Sequence, residues 1–138
     1  MILPCEIAVK SVIPAIKATL AQELVEAYSL KQNQVAEILG ISQSAVSKYT
    51  CQVRGHIIKI DNIEEIRPLI NKMINLIVNG TPERAEFLRL FCQTCTEIRK
   101  KGLMCQFCQK TDSKIKIEEC GFCLNYDPFR MIREKKKV

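Results

Sequence analysis

Six of the eight cysteines fall in three Cys-x-x-Cys pairs: Cys92/Cys95, Cys105/Cys108 and Cys120/Cys123. Thiolates are soft ligands, and two such pairs brought together make a four-sulfur site for a metal. Two tetrads follow from local spacing. One is Cys92-x2-Cys95-x9-Cys105-x2-Cys108, and the other is Cys105-x2-Cys108-x11-Cys120-x2-Cys123. Both need Cys105 and Cys108, so both cannot be complete. Either one pair is spare, or Cys5 and Cys51 raise the set to eight. Four thiolates suit tetrahedral Zn2+ and equally an iron–sulfur cluster, and spacing does not choose between them. Taken alone, Cys5 and Cys51 read as small buried residues.

The second chemical constellation is polar. Residues 32–51 contain Gln32, Gln34, Ser42, Gln43, Ser44, Ser47 and Lys48, interleaved with Val35, Ala36, Leu39, Ile41, Val46 and Tyr49. The apolar set has the spacing of two short helices sharing a core. Ala36 is small where the second helix must cross the first. Gly40 permits the left-handed backbone of a tight turn. Ser42 is placed to cap the second helix.

This segment resembles the helix-turn-helix of the phage-repressor and Cro class of transcription regulators. Over residues 3–55, with Leu3-Pro4-Cys5-Glu6-Ile7, Pro14-Ala15-Ile16 and Gln43-Ser44-Ala45-Val46-Ser47, it looks like a group of archaeal transcriptional regulators. The resemblance implies a recognition helix at about 42–51 in the major groove of double-stranded DNA. Ser42, Gln43, Ser44, Ser47 and Lys48 would face the bases there. Gln pairs with adenine, Ser serves several bases, and Lys reaches guanine or phosphate. Gln32 and Gln34 would hold phosphates, as would Arg54 and Lys59. A symmetric dimer would address half-sites about 34 Å apart or a multiple of that. The second cysteine tetrad, in turn, looks like a zinc ribbon with a hairpin between its knuckles.

The elements that must position these groups are mostly helical. Pro14 divides residues 4–28 into two helices, about 4–12 and 14–28, with Ile16, Leu20, Leu24 and Ala27 as an apolar stripe on the second. Residues 62–79 carry an a/d seam of Ile63, Ile66, Ile70, Met73 and Ile77, with Asn62 as cap and Gly80 as terminator. That seam either packs within the chain or pairs with a second copy. Thr81-Pro82 opens a further helix with Phe87, Leu88 and Phe91 on its apolar face. Lys114-Ile115-Lys116-Ile117-Glu118 alternates as a half-buried strand would. The expected fold is therefore mainly α. A lambda-repressor-like domain (1–60) leads into a linker and dimerisation helix (61–80). A Cys-rich metal- or cluster-binding region with little β and a basic tail (81–138) follows.

Composition limits the function classes. The chain has 138 residues, 47% hydrophobic and 26% charged, which excludes wholesale disorder. No uncharged run is long enough to span a membrane, and the N-terminus lacks the pattern of a secretory signal. A cytoplasmic protein with reduced thiols is expected, and disulfides are not. The net charge is +6, concentrated after residue 80. It suits a polyanionic partner, and Arg130, Arg133 and Lys135–Lys137 form a basic C-terminus. Trp is absent and aromatics are 6%, so base-stacking platforms for single strands are not expected. A single histidine, His56, gives no catalytic relay, and no phosphate-binding glycine loop or small-molecule substrate site is visible. A thiol-redox enzyme would need a βαβ context that is missing here. Two readings stand: a dimeric, sequence-specific DNA-binding regulator, or a metal-stabilised interaction module of a transcription or RNA-processing assembly. Neither is an enzyme.

Overall fold

The computed structural model describes residues 1–51, 58–80 and 83–125. Arg54, His56, Thr81, Pro82 and the basic C-terminus lie outside them. Among the described residues the chain is mainly α-helical and contains no strand.

Helix α1 spans Pro4–Lys10, with proline in its first turn and the Glu6 carboxylate accepting from the Leu3 N–H at 2.7 Å. Ser11 ends it by donating its hydroxyl to the Ile7 carbonyl at 2.7 Å. The chain then restarts as α2, Val12–Glu26. Pro14 falls in the first turn of α2, where its missing N–H leaves no hydrogen bond unmade. The division expected from Pro14 is present, one or two residues earlier than expected.

Helix α2 is the hub. It packs against α1, against α3 (Gln32–Leu39) and α4 (Gln43–Thr50), and against α5 (Arg67–Val78) and α6 (Arg84–Lys100). Val12, Ile16, Leu20 and Leu24 are fully buried along it, and Ala15, Ala18 and Ala21 let the neighbours approach closely. Ala27, expected on this stripe, is exposed because the helix has already ended.

The seam of α5 is occupied within the chain. Ile66, Ile70, Met73, Ile74 and Ile77 are buried, chiefly between α6 and α2. The internal alternative therefore accounts for the heptad spacing, and these side chains are not free for a second copy. The helix starts at Arg67, after turns that begin at Asp61, so Asn62 is not its cap. Arg67 instead forms an ion pair with Glu23 of α2.

Helix α6 begins at Arg84 with Glu83 at the cap position. Phe87 and Phe91 are half-buried, with ring centroids 6.3 Å apart, while Leu88 stays exposed. Ile98 and Arg99 are buried near the far end of the helix. A single apolar core runs from Ile7 through α2 and α5 to Ile98 and Met104, so the three segments distinguished by sequence share it.

Three short helices follow: α7 (Cys105–Thr111), α8 (Ile117–Cys120) and α9 (Phe122–Asn125). None has a buried residue. The strand expected at Lys114–Glu118 is absent. Its alternation fails because no partner strand lies beside it to pair the backbone, and Ile117 instead opens α8. The hairpin of a zinc ribbon is therefore missing between Cys108 and Cys120.

Candidate DNA-reading helix and cysteine cavity

The α3–α4 unit is built from local rules. The turn between its helices is Gly40, Ile41 and Ser42. Gly40 has φ +64°, and its N–H and that of Ile41 bond back to carbonyls of α3. Ser42 Oγ accepts from the Ala45 N–H at 3.1 Å and caps α4. Val35, Ala36, Ala45, Val46 and Tyr49 are buried between the two helices and α2, and Leu39 and Ile41 are half-buried around them.

With that face inward, the other face of α4 points to solvent. Gln43, Ser44 and Lys48 are exposed and Ser47 is half-exposed. Ser42 is exposed too, but its oxygen is engaged with Ala45 and lies 3.2 Å from Ser44 Oγ. It is a cap first and a base contact only through its remaining hydrogen-bonding capacity. Gln34 Oε1 accepts from the Lys31 N–H at 3.0 Å, which leaves its amide NH2 to donate outward. Gln32 is half-buried in the first turn of α3, and Lys59 is exposed.

Of the two tetrads that spacing offers, the second lines one space. Cys105, Cys108, Cys120 and Cys123 line one cavity of about 380 Å3. Its walls are otherwise apolar and include Ile2, Pro4 and Ile7 from the N-terminal segment. Burial pushes the Cys105 and Cys108 thiols above their ordinary pKa, and the fields of Cys123 and Cys120 add to it. Burial thus favours the protonated form of Cys105 and Cys108 unless a cation draws them into the thiolate form.

Cys92 and Cys95 lie on α6 and are not among the residues that line that cavity, although Cys95 shares Arg99 with Cys123. Cys92 is exposed. Cys95 is raised in pKa by burial, against the opposing field of Arg99. Arg99 is the buried cation of this end of the molecule. Its Nε donates to Cys123 Sγ at 3.4 Å and its Nη1 to Cys5 Sγ at 3.9 Å. Burial works against its charge, but the bond to Cys123 and the fields of Cys123, Cys95 and Cys5 outweigh it, so its pKa is raised.

Arg99 is the residue that sequence reasoning missed, and Cys5, raised there either as a member of a set of eight or as a small buried residue, lies beside it. Cys5 is exposed rather than core, because Ile7 and Ala8 take the inward face of α1. Cys51 is exposed as well, at the C-cap of α4 just past buried Tyr49. The clue to Arg99 was its place four residues after Cys95, on the same helix face.

The donor set around the cavity is sulfur alone, which fits a soft metal or an iron–sulfur cluster. Among the described residues, no three Cys, His, Asp or Glu side chains are grouped closely enough to hold a single metal ion. No helix of the described residues is long and apolar enough to cross a membrane.

Comparison with protein-family models, with curated proteins and with solved structures finds no match to this chain. The functional reading therefore rests on the residues themselves.

Proposed function

We propose that this protein is a sequence-specific transcription regulator that binds double-stranded DNA through α4, with a cysteine-ligated metal or cluster ordering its C-terminal segment. One observation carries the reading. The α3–α4 unit buries Val35, Ala36, Ala45, Val46 and Tyr49 on the side that packs on α2, while Gln43, Ser44 and Lys48 stand exposed on α4. A helix of that width fits the major groove, and those side chains match the donors and acceptors of base edges. Gln32, Gln34 and Lys59 would bind phosphates nearby, and Arg54 is assigned with them on sequence grounds alone.

The regulator would act as a dimer on two half-sites. With the α5 seam buried, the surface joining two copies must lie elsewhere. The first 80 residues carry a net charge of only +1. Affinity for random DNA should accordingly be modest, with specificity coming from base contacts.

The test is selection of bound duplexes from a random pool with the full chain, followed by gel shifts on the enriched motif. Gln43→Ala should weaken binding to that motif by ~1–3 kcal/mol, roughly 5- to 150-fold, and relax the preference at one base position. Binding to unrelated DNA should hardly change. If no motif is enriched, or Gln43→Ala leaves preference intact, α4 is not the reading helix and the interaction-module alternative takes over.

A further inference from the structure

Helix α3 packs on α2 and α4, while α6 packs on α2 and α5. The C-terminal end of α3 and the first turns of α6 line an open groove of about 800 Å3. Ile77 of α5 lies buried at its base, and Leu39 and Phe87 are half-buried in its walls. Ile38 and Leu88 line it as well, and both are exposed. The space is open over the backbone too. Gly40 and Gly80 both line the groove, and a Cβ at either would meet nothing within 4 Å. Apolar side chains gathered along one open groove, rather than scattered singly, mark a surface that another molecule covers.

Charge selects the occupant. Glu37 lines the groove from α3 and Arg84 lines it from α6, and both are exposed. Neither forms an ion pair with another described residue. A groove with a carboxylate on the α3 side, a guanidinium on the α6 side and apolar side chains between them is complementary to itself turned through half a revolution. In a two-fold dimer residue i meets j and j meets i, so the pairing of Glu37 with Arg84 occurs twice. DNA would be repelled by Glu37, and any partner of a single charge would meet one side with the wrong sign. No residue of α4 lines the groove, so a copy seated there uses none of the side chains assigned to base reading.

We propose that two copies of the chain associate through this groove about a two-fold axis. Ile38 of each copy packs on Phe87 and Leu88 of the other, and Glu37 pairs with Arg84 across the axis. The inference supplies the surface that the dimer proposed above lacks once the α5 seam is buried. It rests on the dimeric part of that reading and not on its DNA contacts. The apolar side chains provide the attraction, and the exposed charges chiefly fix the register and exclude wrong alignments. A stable dimer needs about 800 Å2 from each copy, so the groove forms the centre of a wider contact.

The experiment measures the mass of the full chain by sedimentation equilibrium, without DNA, between about 1 μM and about 1 mM. Reducing buffer keeps the exposed Cys51 and Cys92 from cross-linking copies. The expected result is a monomer–dimer equilibrium that stops at two. Ile38→Lys should weaken the dimer at least ~30-fold, as loss of a central interface anchor does. Glu37→Arg should weaken it ~10-fold, because two cations then face each other where a pair stood, and Arg84→Glu should do the same with two anions. Mixing those two charge variants in equal amounts should restore the dimer, since every contact then joins Arg to Glu. Circular dichroism checks that each variant keeps the helical content of the parent, and a folding defect in either variant would not be repaired by mixing. A monomer at every concentration, growth beyond two copies, a dimer that Ile38→Lys leaves intact, or a mixture no more associated than its components would each overturn the proposal. Such a failure would leave base selectivity and its dependence on Gln43 untouched, and failure of the DNA reading would leave these masses unchanged.

Discussion

The first 50 residues and the segment from Cys105 to Asn125 differ in how much of themselves they bury. In the first, α1 to α4 bury Ile7, Val12, Ile16, Leu20, Leu24, Val35, Val46 and Tyr49. In the second, α7, α8 and α9 bury no residue, and Phe122 and Leu124 are exposed. What the second region has in place of a core is a set of thiols beside a buried guanidinium. A segment with so little apolar burial does not offset its conformational entropy by packing alone. The difference is that the first end is ordered by its buried apolar side chains, whereas the second calls for a further source of order, the role given to ligation in the function proposed above.

The sharpest way to break that contrast is to remove the same side chain from each region. Leu20 is fully buried on α2, and Leu124 stands on α9 with 59% of its surface exposed. Leu20→Ala should lower unfolding free energy by ~3 kcal/mol through lost transfer and cavity terms. Leu124→Ala should stay within ~0.5 kcal/mol, as surface changes do. Urea denaturation of the full chain reads both. A comparable loss at Leu124 would mean the tail has a core of its own, and the ligation argument would fail.

A second pair of changes sharpens the claim that local rules, not only burial, define the N-terminal region. Gly40 has φ +64°, with nothing within 4 Å of where a Cβ would sit. The cost of Gly40→Ala is therefore backbone strain alone, ~1–2 kcal/mol. Ser42→Ala removes the acceptor for the Ala45 N–H and should cost ~1 kcal/mol. Thermal melts of the two variants check this. Because the turn sets how α4 follows α3, Gly40→Ala should also weaken the DNA binding proposed for α4 by more than its stability loss explains. A Gly40→Ala protein as stable as the parent would show that the turn relaxes out of the left-handed region without penalty.

Particular residues show what was legible in the sequence. The division at Pro14, the turn at Gly40, the cap at Ser42 and the buried set Val35, Ala36, Val46 and Tyr49 follow from short-range rules and are all present. The seam of α5 was visible as a pattern, but its partner was not. Period tells which side chains share a face and never what covers it, and here α6 and α2 do. Ile115 and Ile117 mislead for a related reason, since alternation needs a neighbouring strand to become a strand. In the cysteine region, the pairs were legible, and so was the grouping of Cys105, Cys108, Cys120 and Cys123 as one of two alternatives. Cys5 comes near Arg99 across 94 positions, through the packing of α1 and α6 at one end of α2, which no local spacing encodes.

The smallest effect concerns the seam between the core and the cysteine segment. Lys101, just past α6, donates to Glu65 Oε1 at 2.6 Å, tying the start of the cysteine segment to the turn before α5. Both side chains face solvent, so the pair contributes little to stability. The Lys101 hydrogen bond nevertheless holds the Glu65 carboxyl below its ordinary value of 4.5. A carboxyl with a lowered folded-state pKa stabilises the fold above its unfolded pKa. That contribution disappears as pH falls through the folded value. Glu65→Gln should therefore melt slightly below the parent at neutral pH and low salt. The two melting curves should coincide in strong acid, and also at neutral pH in molar salt, where the attraction is screened. A gap that persisted in acid and in salt would mean Glu65 acts by packing rather than charge. The junction would then belong to the apolar core instead of marking where that core ends.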